Sequence, residues 1–538
     1  MKFNLFKTNK FPLFRKIGHP IKSRWANRGI FIFLGVGVTT ALNLWWRFPA
    51  YALKYNGGAF LIAYMVAIVF TVLPLLIYES AMGQRSQRAM IRTLQQMNKK
   101  NTWFGYWILV LSCIVTLYMM VVFCWSILFT GESLQSLFTV SKELPWAKDS
   151  ASFMMSMCFQ NGSQTWSLPS WGVMYFLAFF WIVIPGFVVR GGHSIGAILK
   201  PVFFIGLLLL LVVVFRFLGF SIFGFEGGAF GLSWALHPDL SQLGNFTLWI
   251  DAFTLAIFGA GLGLGLHVAS ASLLPRENDI ANNLLFIVIT SFFLLFLMFL
   301  ATASILGGQA LQDGRTLNNV AEHFRDVQPE GIGTFLLVLP RAISDVLPDS
   351  TTGKALISFS LFGSFACFTM IFITMLINSI QSILREMKGW GKRDTAIFIG
   401  FFGFILTFAL SGITNWHWID DIDMLVLGIG VIFAVLVQCF VPGWLIGTND
   451  LRNYINEHSE IKTGFIWELI LKVFLPISLT IILVYNFLNI RFNCFFISNN
   501  WIHRGIILTF VSFMLILSII LSKNRRIKKG LGNAKQAD

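Results

Sequence analysis

Charge is what this sequence has least of: 12% of its residues are Asp, Glu, Lys or Arg, about half the share of an ordinary soluble domain. A soluble chain of 538 residues so poor in charge could not clothe its own surface, which excludes a soluble globular protein. Cysteine is sparse and scattered. Cys113, Cys124, Cys367 and Cys439 fall within apolar runs, where packing is the simplest role, while Cys158 and Cys494 fall between runs, with no spacing that fixes or forbids a disulfide. Neither HExxH nor GxxxxGK[ST] occurs and the eight His are dispersed, so no enzyme is expected. The first 28 residues are basic and polar, unlike a cleavable leader. Asn161-Gly-Ser and Asn245-Phe-Thr are formal sequons of a kind that chance supplies.

What fills the chain is apolar: 56% hydrophobic residues, 57 Phe and 18 Trp among them. They gather into twelve runs, at about 29–53, 59–82, 103–130, 170–189, 194–219, 247–271, 281–306, 354–383, 395–412, 422–445, 466–488 and 503–522. Runs of about 20 residues cross a bilayer as helices, because lipid offers no partner to an unpaired backbone group. They do not alternate polar with apolar, which excludes barrel strands. The expected fold class is all-α integral membrane, with about twelve spans.

Basic residues orient the spans. Lys2, Lys7, Lys10, Arg15, Lys16, Lys22, Arg24 and Arg28 precede the first run, and Arg85, Arg88, Arg92, Lys99 and Lys100 follow the second. The tail holds Lys523, Arg525, Arg526, Lys528 and Lys529, on the same side for an even number of spans, and Asp420, Asp421 and Asp423 fall on the other. By the positive-inside rule both termini are expected in the cytoplasm, the chain being a multi-pass protein of the cell inner (plasma) membrane. Its basic excess of +15 is used up in this way, so the bilayer is the expected partner and nucleic acid is not.

Two runs are interrupted. The first reads GVGVTTALNLWWRFP over Gly35–Pro49 and the sixth DAFTLAIFGAGLGLG over Asp251–Gly265. Interruptions five segments apart are the mark of a five-plus-five inverted repeat with broken helices 1 and 6, whose bare amides and carbonyls lie at mid-membrane. Half-helix N-termini attract a carboxylate there, and exposed carbonyls coordinate a small cation. Gly261 and Gly265 also spell GxxxG, so the glycines alone leave close helix packing open. Arg47 ends an apolar run, where a charge is expensive unless it faces water or a partner. Asp423 is a candidate partner, and snorkelling to the interface is the alternative.

Arg47-Phe48-Pro49, Asn56-Gly57-Gly58-Ala59-Phe60, Glu79-Ser80-Ala81-Met82-Gly83, Trp25-Ala26-x-Arg28, Trp249 through Ser272, Leu339-Pro340-x-Ala342-Ile343 and Asp420-x-x-Asp423 together resemble the neurotransmitter:sodium symporter family, in its bacterial amino-acid transporter branch, over nearly the whole chain. The resemblance implies a LeuT-type fold holding an amino acid or similar zwitterion between segments one, three, six and eight. Its carboxylate would meet amides around Ala41, Leu42 and Asn43, its side chain would lie near Val115, Phe258, Gly261 and Leu264, with Phe258 as a lid, and Thr39, Tyr118, Met119 and Gly259 would also line the substrate site. Arg47 with Asp423 would form the outer gate, and Lys22 or Arg24, Trp25 and Glu386 the inner one. A sodium set would be Gly37, Thr40, Ala366 and Thr369, with carbonyls near Gly37 and Thr40 and a hydroxyl from segment eight.

The departures from the family pattern fall on ion and substrate positions. Leu44 stands where a sodium-ligating Asn is usual, with Asn43 one step earlier, so either the register shifts or the ligand is gone. Gly259 replaces a polar residue, Gly261 often a Ser, and Met119 the substrate-binding Tyr, with Tyr118 adjacent. Only Thr290 or Ser291 stands near the usual Asn of segment seven. Alignment from Phe365-Ala366 puts Thr369 and Met370 at the hydroxyl positions of a second sodium site; alignment from Gly389-Trp390 puts Ile371 or Phe372 there. Leu255 is apolar at a chloride position, so chloride dependence is not expected. Gly259 and Gly261 would leave room for a bulkier substrate side chain.

The expected function is secondary active transport of amino acids or small amines by alternating access. Sodium is the candidate coupling ion, with sodium-independent uniport, exchange or proton coupling still open, and no other cofactor is called for. The alternative is a transporter-derived sensor or accessory protein that moves nothing. The expected layout is a basic tail at 1–28, a ten-helix core at 29–445 with repeats of about 29–219 and 247–445, helices eleven and twelve at 446–522, and a basic tail at 523–538.

Overall fold

A computed structural model describes residues 24–97, 101–139, 143–161, 166–222, 226–314, 331–347, 350–415, 417–440, 448–489 and 500–523. Within them ten helices are long and apolar enough to span a bilayer. Segments two to five are Gly58–Ser86, Thr102–Phe138, Trp171–Val188 and Gly192–Leu218; segments seven to twelve are Ile280–Gln312, Thr351–Lys388, Lys392–Ser411, His417–Phe440, Phe465–Asn489 and Arg504–Lys523. Segments one and six are the interrupted pair. One runs Arg28–Ala41 and restarts as Arg47–Lys54; six runs Phe246–Gly259 and restarts as Leu266–Ala271. Among the described residues there is no β-ladder, only isolated bridges joining Phe159 to Pro169 and Trp166 to Ile413. The all-α membrane architecture is the one the apolar runs predict.

Helix starts follow side chains able to take up free amides. Asn27 Oδ1 accepts from Ile30 N at 3.0 Å, Asn245 Oδ1 from Thr247 N at 3.0 Å, and Asp279 Oδ1 from Asn282 N at 3.0 Å. The sequon residue Asn245 thus serves as a helix cap. Segments three and eight continue to Phe138 and Lys388, well past their apolar runs, since a helix has no reason to end where hydrocarbon does. These two are the most enclosed segments, and twelve is the least. Segments nine and twelve turn Ile397, Phe401, Phe513 and Ile516 outward, a face that is stable only against lipid.

Segment three packs along segment eight, the first half of segment one lies against segments seven and eight, and both halves of segment six pack on segment two. The two breaks are thereby enclosed by two, three, seven and eight. Segments two, ten and eleven each contain a π-helical stretch, at Ile68–Val72, Val426–Val431 and Ile470–Phe474. Such stretches free backbone carbonyls for other donors: Gly430 O accepts from Trp107 Nε1 at 3.2 Å and Gly428 O from Asn486 Nδ2 at 3.0 Å. Short helices at Met90–Met97, Ser150–Cys158, Glu226–Leu236 and Asn449–His458 join the spans. Cys158 is a buried free thiol; Cys494, Lys22 and most of both basic tails lie outside the described residues.

Candidate functional site

The break in segment six has a backbone cause. Gly261, Gly263 and Gly265 take φ of +69°, +71° and +67°, a left-handed conformation that glycine alone adopts without steric penalty. Three such residues in alternation forbid an α-helix, so these glycines serve unwinding and not the close packing that GxxxG also allowed. The freed groups find partners, as buried peptide groups must. Ala260 O meets His267 Nε2 at 2.6 Å, Gly263 N donates to Glu79 Oε1 at 2.8 Å, Leu264 O accepts from Ser112 Oγ at 2.7 Å, and Gly265 O from Ser379 Oγ at 3.3 Å. Of these holders Glu79 and His267 stood inside stretches that carry the resemblance. Ser112 and Ser379 carried one visible signal, a polar side chain in an apolar run.

Segment one unwinds over Leu42–Trp46. Phe48 N donates to Asn43 O at 3.0 Å across five residues, a wider loop than the α-helix closes, so one extra residue is absorbed. The amides of Leu42, Asn43 and Leu44 all turn back onto Thr40 O. The cradle expected around Ala41, Leu42 and Asn43 is therefore closed on itself in this conformation. Asn43 points inward: Nδ2 donates to Tyr64 Oη at 3.1 Å and to Leu255 O at 3.0 Å, while Oδ1 is buried with no partner. The buried residue at the next position is Leu44.

Two apparent losses prove to be one exchange. A Cβ placed on Gly259 would lie 1.7 Å from Asn43 Nδ2, so the absence of a side chain at 259 is what admits the Asn43 amide. This corrects the expectation of spare room for a bulky substrate: Asn43 fills the space at Gly259, and Leu266 with Val38 closes that at Gly261, 3.1 and 3.5 Å from a Cβ there. Thr39 Oγ1 and Ser291 Oγ lie 2.5 Å apart, joining segment one to segment seven. Ser291, not Thr290, is the residue that faces in. Val115, Met119 and Leu264 are buried apolar neighbours on segments three and six.

The outer pair is bidentate. Arg47 Nε donates to Asp423 Oδ2 at 2.8 Å and Nη2 to Oδ1 at 2.5 Å, while Nη1 reaches Leu42 O. Tyr118 Oη donates to Asp423 Oδ1 at 2.7 Å, so Tyr118 rather than Met119 is the polar contributor from segment three. The guanidinium lies 5.0 Å from the Phe258 ring and 4.5 Å from that of Trp46. At 4% exposure, Arg47 is no snorkelling interface residue. Asp420, also buried, accepts from Ile332 N at 3.0 Å and so anchors the outer loop before segment eight.

The second sodium set is not assembled as expected. A Cβ on Gly37 would lie 3.0 Å from both Cδ1 and Cγ2 of Ile371, so an apolar side chain closes the turn at Gly37. Thr369, two residues earlier, lies about 200° around the same helix, and Thr40 Oγ1 is bonded to Val36 O at 2.7 Å. Ile371 and not Thr369 is therefore the segment-eight side chain that meets Gly37, as the alignment from Gly389-Trp390 has it, and Thr369 Oγ1 is buried without a hydrogen-bond partner.

At the opposite end Trp25 is buried, its N bonded to Leu273 O at 3.2 Å and its Nε1 to Ser270 O at 2.9 Å. It plugs the far end of segment six. Arg24 is exposed. Glu386 accepts from Ala89 N at 3.1 and 3.2 Å, so among the described residues it caps the Met90–Met97 helix and does not meet Arg24 or Trp25. Trp25→Ala should cost about 3–5 kcal/mol, the usual loss for a buried Trp, read as a lower thermal midpoint in detergent. Trp25→Phe should cost about 1 kcal/mol through the lost hydrogen bond. Gly192-His193-Ser194-Ile195-Gly196 has the spacing of a hydrolase nucleophile elbow, yet it forms the first turn of a continuous helix with no strand before it among the described residues, unlike such an elbow.

A family profile described as "SNF: Sodium:neurotransmitter symporter family" matches residues 22–168 and 159–527. An uncharacterized sodium-dependent transporter of Methanocaldococcus jannaschii is 25% identical over 518 residues, covering 94% of this chain and 99% of that protein. The human sodium- and chloride-dependent taurine transporter is 22% identical, covering 90% of this chain and 81% of its own. A sodium-dependent neutral amino acid transporter of Mus musculus is 28% identical over 320 residues, 55% of this chain and 50% of its own.

Proposed function

The chain belongs to the sodium:neurotransmitter symporter family, and from that membership we propose that it carries an amino acid or related small amine across the cell's plasma membrane, with both termini cytoplasmic. It is a multi-pass secondary transporter, and a non-transporting sensor or accessory role is not favoured. Substrate would occupy the seam where segments one and six unwind side by side, bordered by Thr39, Tyr118, Phe258 and the Asn43 amide. Arg47 and Asp423 would part to admit it from outside, and Trp25 would withdraw from Ser270 to release it inside. The ten-helix core of 29–445 would carry this path, with segments eleven and twelve packed beside it.

One observation carries the reading: both helices are broken at matching places, and a side chain from one break, Asn43, fills a gap in the other at Gly259. Sodium fits the same place. Asn43 Oδ1 is a buried acceptor without a donor, and such an oxygen is costly unless something positive meets it. The Thr39 and Ser291 hydroxyls and the unpartnered Thr254 Oγ1 are further buried side-chain oxygens on segments one, seven and six. The taurine relative is chloride-dependent by name; Leu255 offers this chain no polar side chain for that ion, so chloride independence is expected.

Purified protein in proteoliposomes, offered labelled alanine, leucine and taurine with and without an inward sodium gradient, tests the reading. Accumulation of at least one compound is expected, and failure to move any zwitterion would sink it. Asn43→Ala is expected to raise the sodium concentration for half-maximal uptake about tenfold, equivalent to about 1.4 kcal/mol of lost ion binding. An unchanged sodium requirement would remove Asn43 from the ion site.

A further inference from the structure

Each break leaves the C-terminal end of a half-helix pointing into the protein, where unsatisfied carbonyls make a negative pole that favours a cation. In segment one the carbonyl at that pole is Leu42 O, the cap of Arg28–Ala41, and the guanidinium of Arg47 binds it. In segment six the equivalent carbonyl is Ala260 O, the cap of Phe246–Gly259, and the imidazole of His267 binds it. The two breaks thus receive the same treatment, a basic side chain from the restarting half folded back onto the last carbonyl. They differ in one respect: arginine is permanently charged, and histidine is not.

His267 is 4% exposed, on the Leu266–Ala271 helix. A Cβ on Gly261 would lie 3.6 Å from its Nε2 and 3.5 Å from Val38 Cγ1, so the ring borders the seam between segments one and six. Because a carbonyl only accepts, Nε2 carries the hydrogen and Nδ1 keeps the lone pair. No hydrogen bond to Nδ1 is formed within the described residues.

Of the ionisable groups on the surrounding elements, Tyr78 Oη, Tyr106 Oη and Glu79 Oε2 are buried without a hydrogen-bond partner, and others are held as follows. Segment two, pressed against this helix where Gly83 meets Val268, brings Tyr78, Glu79 and Arg85; Glu79 holds Gly263 N and Arg85 donates to Asp450 O at 2.8 Å. Segment eight brings Ser379, with Arg385 and Glu386 at its far end, and Glu386 holds Ala89 N. Segment three brings Tyr106, Ser112 and Cys113, and segment one the uncharged Thr39 and Thr40. No salt bridge joins His267 to any of them among the described residues. Ile371 meanwhile closes the Gly37 turn, so the side chain that segment eight sets against that turn is apolar.

We propose that His267 is a proton-binding site and that one proton travels with each substrate molecule, an inference that rests on the transport reading above. The proton adds to the Nδ1 lone pair from the outer solution when the seam opens outward, and leaves Nδ1 for the inner solution when it opens inward. Only that N–H bond forms and breaks. The imidazolium completes at segment six the positive pole that Arg47 provides at segment one.

The test uses proteoliposomes holding the full chain, with sodium and potassium equal on both sides and valinomycin clamping the potential, and labelled alanine, leucine and taurine as probes. Exchange of label against the same unlabelled compound establishes transport independently of any gradient. An inside-alkaline difference of one pH unit is then expected to raise accumulation up to tenfold, the full ratio for one proton per substrate. His267→Gln keeps an N–H for Ala260 O but cannot titrate; it is expected to exchange label at a rate independent of pH between about 5 and 8 and to show no accumulation. Wild-type exchange without any response to the pH difference overturns the proton site and leaves the transport reading standing. A glutamine variant that accumulates as the wild type does also overturns it. Absence of exchange in the wild type overturns both. If the variant does not fold, wild-type protein in detergent decides: the exchanged compound is expected to draw up about one proton per chain, read with an indicator dye, and no proton uptake overturns the proposal.

Discussion

Arg47→Ala is expected to abolish accumulation and to lower the unfolding free energy by about 3–5 kcal/mol, the usual cost of stripping one member from a buried ion pair. The loss follows from what remains. Asp423 would keep the Tyr118 hydroxyl but lose two guanidinium donors, and Leu42 O would lose its partner at the pole of a half-helix. A buried carboxylate so exposed to hydrocarbon is more expensive than the pair ever was favourable. The double replacement Arg47→Met with Asp423→Leu removes both charges and should return within about 1 kcal/mol of the parent in stability, while leaving uptake absent because nothing polar then closes or opens the outer side. Thermal unfolding in detergent and proteoliposome uptake, measured on the same preparations, separate the two effects. A wild-type midpoint for Arg47→Ala would mean that the pair sits in water and gates nothing.

That pair was legible in the sequence because a charge ending an apolar run must find a counter-charge, and Asp423 opens a later run. The spans were legible for a similar reason: lipid enforces long helices, and the apolar runs report them. Glycines at mid-span announced the break in segment six, although only the left-handed φ of Gly261, Gly263 and Gly265 distinguishes unwinding from packing. What stayed hidden depends on register. One residue rotates a helical side chain by about 100°, so neighbours such as Asn43 and Leu44, or Tyr118 and Met119, trade places if an alignment is off by one. Thr369 and Ile371 stood as alternatives between two alignments for the same reason. His267 lay in plain view as a polar residue, but its partner is seven residues back across a break, where helical periodicity predicts no contacts. Glu386 is placed apart from Trp25 for another cause: it is held by a short helix, Met90–Met97, that no apolar run reveals.

The exchange between positions 43 and 259 makes the most discriminating test of this site. Gly259→Ala introduces a Cβ at 1.7 Å from Asn43 Nδ2, a separation no side chain tolerates, so Asn43 must swing away from Tyr64 Oη and Leu255 O. Overpacking and two lost hydrogen bonds together are expected to cost about 2–4 kcal/mol. Asn43→Ala alone removes the same bonds without the collision and should cost about 1–2 kcal/mol. If the two residues form one unit, the double variant costs little more than Asn43→Ala, and the cycle returns a coupling of about 1–3 kcal/mol. Sodium dependence supplies the second reading: Gly259→Ala should weaken it as Asn43→Ala does, because both remove the same Oδ1 from the seam. Additive costs, or a sodium requirement that Gly259→Ala leaves intact, would show that the glycine serves the backbone alone and that the displaced asparagine is not the ion ligand of the first break.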